Sequence, residues 1–112
     1  MKIIREKISL VELEKLAEEL YTDMVKAVVD AEKGIMAAGG ELHADEEAAL
    51  LDEGSVQQNL WGINILVFQP RDKWIVFDSM INIRPRNNNR SRGVENPEIR
   101  RKIIQIVNSL IE

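Results

Sequence analysis

Two apolar runs joined by a short polar link constrain the fold of this chain more than any other feature. Residues 60–68 and 74–84 are rich in β-branched and aromatic side chains, as strands are. Residues 69–73, with the sequence QPRDK, have the composition of a turn. We therefore expect an antiparallel hairpin in which Phe68 lies opposite Trp74, with one nearly continuous apolar face.

Two stretches near the ends of the chain predict amphipathic helices, because their apolar side chains recur at helical spacing. The first, over residues 10–24, follows Ser9, which forms a capping box with Glu12. The second, over residues 99–110, follows Asn96, which precedes a proline at the first helical position. We expect both helices to cover the sheet.

The middle of the chain is harder to interpret. Residues 25–32 alternate like a strand but also tolerate a continued helix, and we prefer the strand because it is rich in β-branched residues. Lys33-Gly34 then offers a turn into a second strand over 35–38. Asp45 is the expected N-cap of a short helix over residues 46–53.

With a first strand over residues 2–8, these elements predict a single α+β domain over residues 1–112. The expected architecture is an antiparallel sheet of about five strands, with a mixed sheet as the alternative, packed against two longer helices and one short helix. The absence of cysteine excludes disulfides and thiolate chemistry. No apolar run approaches the roughly 20 residues of a membrane span, and no signal peptide is visible, so we expect a soluble cytoplasmic protein with no membrane partner.

The net charge of −4 hides an uneven distribution. Residues 84–102 contain seven basic and two acidic side chains, whereas residues 41–53 contain six acids and no Lys or Arg. Within the basic segment, an Arg/Asn-rich loop predicts an anion site, because guanidinium groups bind phosphate or carboxylate bidentately. The expected ligand contacts are Arg84, Arg86, Asn88, Arg90 and Arg92, with Asn64 and Asn82 on the neighbouring sheet face. The alternative is that these arginines pair with the acids of 41–53 or are solvated.

His43, the only histidine, lies among carboxylates and is the candidate general base, together with Asp78. His43 and Asp45 are also the candidate ligands of a metal, with Asp78 as a third. One histidine without cysteine or a fixed ligand spacing is more typical of a local structural role, so we expect no metal and no cofactor.

Several strings in the chain are distinctive: LHAD and LWGINI within residues 39–65, and INIRP followed by NRS within residues 77–103. They resemble a family of short prokaryotic proteins known only as a domain of unknown function, and the resemblance runs along most of the chain. No activity or catalytic residue goes with that family. The resemblance therefore implies a free-standing prokaryotic protein and assigns no role to His43, Asp78 or Arg84.

Three functional hypotheses follow from the sequence. The first is a binding module for an anionic ligand, a phosphate-bearing molecule or RNA, held by the Arg/Asn-rich loop. The second is a small hydrolase or metal-assisted phosphoryl-transfer enzyme in which His43 or Asp78 acts beside Arg84. The third is a structural or interaction protein that self-associates as a homodimer through a sheet edge or an apolar patch.

Overall fold

An antiparallel sheet of five strands, in the order β1-β3-β2-β4-β5, forms the centre of the structure, a computed structural model that describes residues 1–112. Three α-helices pack against it, which confirms the predicted α+β class. The elements are β1 (Lys2–Ile4), α1 (Leu10–Leu20), β2 (Val25–Asp30), β3 (Ile35–Ala38), α2 (His43–Asp52), β4 (Leu60–Ile65), β5 (Ile75–Val76) and α3 (Pro97–Leu110). The longest helix has 14 residues, and none has the length and apolarity needed to cross a membrane.

The main core lies between one face of the sheet and helices α1 and α3. Alternate residues of β2 and β4 point to this face, as the two-residue period of a strand requires. They pack against Leu13 and Ala17 of α1 and against Ile103 and Val107 of α3, all of which are buried. Burial of this apolar surface is the main stabilising contribution to the fold.

The opposite face of the sheet carries a smaller core beneath α2. Val28, Ala37, Leu50 and Leu60 are fully buried there, and Ile81 packs against them. Strand β2 is therefore buried on both faces, which explains why residues 25–32 gave an ambiguous pattern. The preference for a strand over that stretch is confirmed for Val25–Asp30.

The predicted long hairpin is wrong in its second strand. Strand β5 contains only Ile75 and Val76, and Ile65 pairs with Ile75, so the register is also displaced from the predicted one. After β5 the chain leaves the sheet and makes a 3₁₀ turn over Met80–Asn82. Ile81 thus packs on the α2 side of the sheet rather than across from Trp61.

Two features of the first helix and strand also differ from expectation. Strand β1 ends at Ile4, well before residue 8. Ser9 caps α1 as predicted, with its hydroxyl oxygen accepting from the Glu12 N–H at 3.2 Å. Glu12 does not complete the capping box, because its carboxylate pairs with the Lys2 ammonium at 2.5 Å.

The start of α2 was predicted wrongly. The helix begins at His43 after Leu42, and Asp45 lies in its first turn rather than at its N-cap. Contacts with the rest of the molecule hold this end in place. The His43 ring bonds to β4, and Glu46 accepts a hydrogen bond from the Gly40 N–H at 2.9 Å.

Candidate functional site

Four of the residues selected from the sequence meet at one pocket on the α2 side of the sheet. We call it the His43 pocket; it has a volume of about 370 Å³, and the residues that line it include Lys26, Leu42, His43, Asn64, Asp78 and Arg92. The volume lies within the range of small-molecule sites. The Arg/Asn-rich loop reaches this pocket through Arg92, and the same pocket contains His43 and Asp78.

Strands β2 and β4 provide the floor of the pocket. Lys26 and Asn64 are direct cross-strand partners, so their side chains project from the same face of the sheet. The start of α2 forms one wall, and the segment from Asp78 to Ile81 forms the facing wall. The pocket thus exists because the chain leaves the sheet after β5.

Gly62 allows the second wall to approach the sheet closely. A Cβ atom at this position would lie 2.5 Å from both Cβ and Oγ of Ser79, a distance that real side chains do not adopt. The Asn82 side chain then takes the place of a neighbouring strand. Its Oδ1 accepts from the Gly62 N–H at 2.8 Å, and its Nδ2 donates to the carbonyl oxygens of Gly62 and Arg92, both at 2.9 Å.

His43 is buried in the wall of the pocket, with 8% of its surface exposed. Its Nε2 lies 2.8 Å from the carbonyl oxygen of Ile63, which can only accept, so Nε2 carries the proton. Burial lowers the pKa of His43 below its ordinary value, and the charges of Lys26 and Arg92 act in the same direction, while the Ile63 hydrogen bond and the Asp78 charge oppose them. The ring is therefore neutral at pH 7, and Nδ1 is an acceptor that no group of the chain uses.

Asn64 contributes a second unused acceptor. Its Nδ2 donates a long hydrogen bond of 3.4 Å to the Asp78 carbonyl oxygen, while its Oδ1 is buried and has no partner. A carbonyl oxygen can only accept, so the contact with Asp78 fixes which end of the amide is the donor. The oxygen of Asn64 is therefore the group that remains unsatisfied.

The charged groups of the pocket are not balanced. Arg92 donates from Nε to the Asp78 carboxylate at 2.5 Å, and the two side chains are 54% and 47% exposed. Lys26 makes no ion pair, and its ammonium lies 5.1 Å from the centre of the Tyr21 ring. The net charge of the pocket at pH 7 is therefore positive.

The first turn of α2 contributes backbone N–H groups at the pocket, although it also contains the exposed carboxylate of Asp45. No side chain caps the helix, and the first N–H groups of a helix have no intrahelical acceptor. Leu42, His43 and Ala44, which begin the helix, all line the pocket. The helix dipole therefore favours negative charge at this end.

The structure separates Arg84 from the His43 pocket. Its guanidinium carbon lies 4.3 Å from the centre of the Trp61 ring, and Nη1 donates to the Gln57 carbonyl oxygen. Burial lowers the pKa of Arg84, whereas the nearby Glu47 raises it. Two nitrogens of Arg84 and one oxygen of Glu47 are buried without partners.

The remaining loop residues do not form one cluster with Arg84 and Arg92. Arg86, Asn88 and Arg90 are exposed, and neither arginine makes an ion pair. Asn89 instead holds the loop together. Its Nδ2 donates to the carbonyl oxygens of Asn82, Ser91 and Gly93, and its Oδ1 accepts from the Glu95 N–H.

Nothing in the structure places a metal at His43. Asp45 is exposed, and no group of three or more His, Asp or Glu side chains is arranged to hold an ion. Asp78 faces the pocket but is paired with Arg92. The predicted candidates are thus divided between the pocket and the surface of α2.

Sequence reasoning missed Lys26 and the uncapped start of α2. A lysine among the apolar residues of a strand that is buried on both faces was the available signal for Lys26. Leu42 was not recognised as the N-cap of α2, because Asp45 belongs to a residue type that is preferred at that position. Met80, which is 65% exposed at the pocket, was assigned to a strand.

The fold and pocket define a small α+β protein with a positively charged cleft on one face of its sheet. The chain belongs to the family described as protein of unknown function DUF5674, whose model matches residues 2–110. Comparison with curated proteins and with solved structures finds no match. The family resemblance noted from the sequence motifs is thereby confirmed, and it brings no activity with it.

Proposed function

We propose that this protein binds a small anionic molecule in the His43 pocket. The observation that carries the proposal is that the unpaired ammonium of Lys26 and the uncapped start of α2 belong to the same pocket. A helix N-terminus beside a cation is a common arrangement for binding phosphate or carboxylate groups. Arg92 supplies a second cation when an incoming anion competes with Asp78.

This proposal moves the anion site from the loop to the pocket. Of the four loop arginines, only Arg92 lines the pocket. Asn82 and Asn89 use their amide groups inside the protein. Arg86 and Arg90 remain available to an extended polyanion, so RNA binding along the loop is the alternative outcome.

A titration with inorganic phosphate, followed by ¹H–¹⁵N NMR, tests the proposal. We expect shift changes at the amides of His43, Ala44 and Asn64 that saturate with phosphate concentration. Lys26→Met keeps the aliphatic stem and removes the charge, and it should weaken binding about tenfold, the effect of roughly 1.4 kcal/mol. Arg90→Ser, at an exposed position, is the matched control and should bind like the wild type.

Two results would contradict the proposal. One is phosphate binding that is unchanged by Lys26→Met. The other is a set of shift changes confined to residues 86–92, which would return the site to the loop and favour a polyanion such as RNA.

An enzymatic role for His43 is the second candidate, and the state of the ring favours it. A neutral imidazole with its tautomer fixed by the Ile63 carbonyl is ready to act as a general base. Arg84 does not line this pocket, so Arg92 takes the role in which Arg84 was expected. Hydrolysis of p-nitrophenyl phosphate that His43→Gln abolishes would support this role, and activity retained by that variant would exclude it.

Other expectations from the sequence remain proposals. We place the protein in the cytoplasm of a prokaryote, and self-association as a homodimer is the third functional hypothesis. Phe68, between β4 and β5, is 50% exposed and is a suitable marker for a contact surface. A single monomeric species in sedimentation velocity at high protein concentration would remove the dimer from consideration.

A further inference from the structure

The unsatisfied oxygen of Asn64 indicates what the pocket requires besides negative charge. Its Oδ1 is buried, and the orientation of the amide is set by the Asp78 carbonyl. A buried acceptor without a hydrogen bond destabilises a protein unless a donor reaches it. A ligand donor that reaches this oxygen from the pocket would satisfy it, whereas an anion without a donor would not.

His43 places a second acceptor beside the first. Its ring is bonded to the carbonyl oxygen of Ile63, and Ile63 precedes Asn64 in β4. The ring is thus attached to the strand one residue from the amide, and both side chains line the same pocket. With Nε2 in use and the ring neutral, Nδ1 is free to accept a hydrogen bond from a ligand.

Lys26 lies directly opposite Asn64 on the neighbouring strand, on the same face of the sheet. The two residues are register partners of β2 and β4, and side chains in that relation are about 5 Å apart at Cβ. The Lys26 ammonium lies over the Tyr21 ring and does not bond to Asn64. A cation and two acceptors therefore belong to one pocket, and the chain supplies none of them with an ion-pair or hydrogen-bond partner.

We propose that the natural ligand is a small anion that also carries a hydroxyl or amine donor. The anionic group binds Lys26 and the start of α2, while the donor binds Asn64 Oδ1 and His43 Nδ1. This inference rests on the proposed anion site and specifies its ligand class. Hydroxy acids, amino acids and sugar phosphates share this chemistry.

Matched pairs of acids that differ by one hydroxyl test the inference on the wild-type protein. The pairs are lactate with propionate, and 3-hydroxybutyrate and 4-hydroxybutyrate each with butyrate, so that the spacing between hydroxyl and carboxylate varies. Affinities are measured at pH 7.5 by the NMR titration used for phosphate. We expect at least one hydroxy acid to bind about fivefold tighter than its parent, the gain from one hydrogen bond to a buried acceptor.

Asn64→Leu is close to isosteric and removes the acceptor. In this variant the affinity for that hydroxy acid should lie within twofold of the affinity for its parent acid. The ratio is taken within the variant, so a general change in its affinity for acids does not affect the comparison. Arg90→Ser is again the control and should keep the full hydroxyl preference. The amide spectrum of Asn64→Leu shows whether the fold is retained, and the wild-type comparison does not depend on the variant.

Each outcome decides between the two proposals. If the parent acids bind at His43 and Asn64 but no hydroxyl improves affinity, the donor inference is overturned and the anion site stands. A hydroxyl preference that persists in Asn64→Leu also overturns the inference. If neither phosphate nor any acid binds, the proposed function fails, and the inference fails with it.

Discussion

At the scale of single residues, burial changes the charges that the sequence suggests. Residues 41–53 contain six acids, and nothing in their spacing distinguishes one carboxyl from another. Glu46 is fully buried, and desolvation raises its pKa from 4.5 to about 8, although the Gly40 N–H acts in the opposite direction. Glu46 and His43 are therefore both neutral at pH 7, for the same physical reason.

Glu46 should make the protein less stable as the pH rises from 6.5 to 8. In the unfolded chain this carboxyl is already ionised above its ordinary pKa of 4.5, whereas the folded state holds the proton up to about pH 8. The folded state thus binds more protons over this range, and stability falls by up to about 1.4 kcal/mol per pH unit. Urea unfolding at pH 6.5, 7.2 and 8 measures the slope.

Glu46→Gln is the control for this prediction, because glutamine keeps the shape and has no proton to lose. Its stability should be nearly independent of pH over the same range. The window begins at pH 6.5 because the lowered pKa of His43 affects stability below that value. A wild-type protein as insensitive to pH as the variant would show that Glu46 is ionised in the folded state.

The predictability of the site also differs from residue to residue. His43, Asp78, Asn64 and Arg92 were selected for their side-chain chemistry, and the structure brings them together. Arg84 was selected for the same reason, yet it stacks on Trp61. The sequence shows which groups can carry charge, but tertiary packing determines which face of the sheet each one reaches.

At the scale of secondary structure, local signals succeeded where local contacts decide the outcome. Ser9 and Asn96 were correctly identified as N-caps because each side chain bonds to backbone within three residues. The second strand of the last hairpin failed because Asn82 pairs with Gly62, 20 residues away. No sequence window of ordinary length contains that interaction.

Gly62 should be required for the close approach to β4 of the segment from Asp78 to Ile81, which we call the Ser79 segment. In Gly62→Ala the new methyl group would lie 2.5 Å from Cβ and Oγ of the Ser79 side chain, and this Cβ cannot move away unless the backbone of Ser79 moves. We expect destabilisation of about 1–3 kcal/mol, typical of overpacking, together with weaker phosphate binding as the pocket wall moves. Urea unfolding and the phosphate titration measure the two effects.

The matched control for Gly62→Ala is Gly93→Ala. A Cβ atom at Gly93 would lie 3.4 Å from the Phe77 carbonyl oxygen, and no positive φ angle adds strain there. This variant should stay within about 0.5 kcal/mol of the wild type. Equal effects of the two substitutions would mean that the Ser79 segment moves aside without cost.

Asn82 should stabilise the fold through its three hydrogen bonds to backbone groups of Gly62 and Arg92. Asn82→Leu fills the same space but leaves those groups without partners. We expect a loss of about 3 kcal/mol or more in the free energy of unfolding, since each unpaired buried group costs about 1–3 kcal/mol. Asn87→Ala, at an exposed position, is the control, and a similar loss there would contradict the assignment.

At the scale of the whole molecule, the uneven charge distribution is only slightly neutralised within the chain. Three ion pairs are present, Lys2 with Glu12, Arg5 with Glu53 and Arg92 with Asp78. None joins a loop arginine to an acid of residues 41–53. The alternative from the sequence was that those acids neutralise the loop arginines. It fits Arg84, which lies near Glu47, but it does not fit Arg86 or Arg90, which have no ion pair.

The size of the anion should determine whether these exposed arginines affect binding. Arg86 and Arg90 are exposed and do not line the His43 pocket, and water and salt weaken the interaction of such charges with a ligand that they do not touch. The double substitution Arg86→Ser and Arg90→Ser should therefore change phosphate affinity less than twofold in 150 mM NaCl. A single-stranded RNA of about ten nucleotides that spans the pocket and the loop would lose much more affinity, and its salt dependence would become shallower. Titrating both ligands into the wild type and the double variant separates the cases. If the double substitution weakens phosphate binding as strongly as RNA binding, the anion site lies in the loop. If only RNA affinity is lost, a small anion and a polyanion use different parts of this surface.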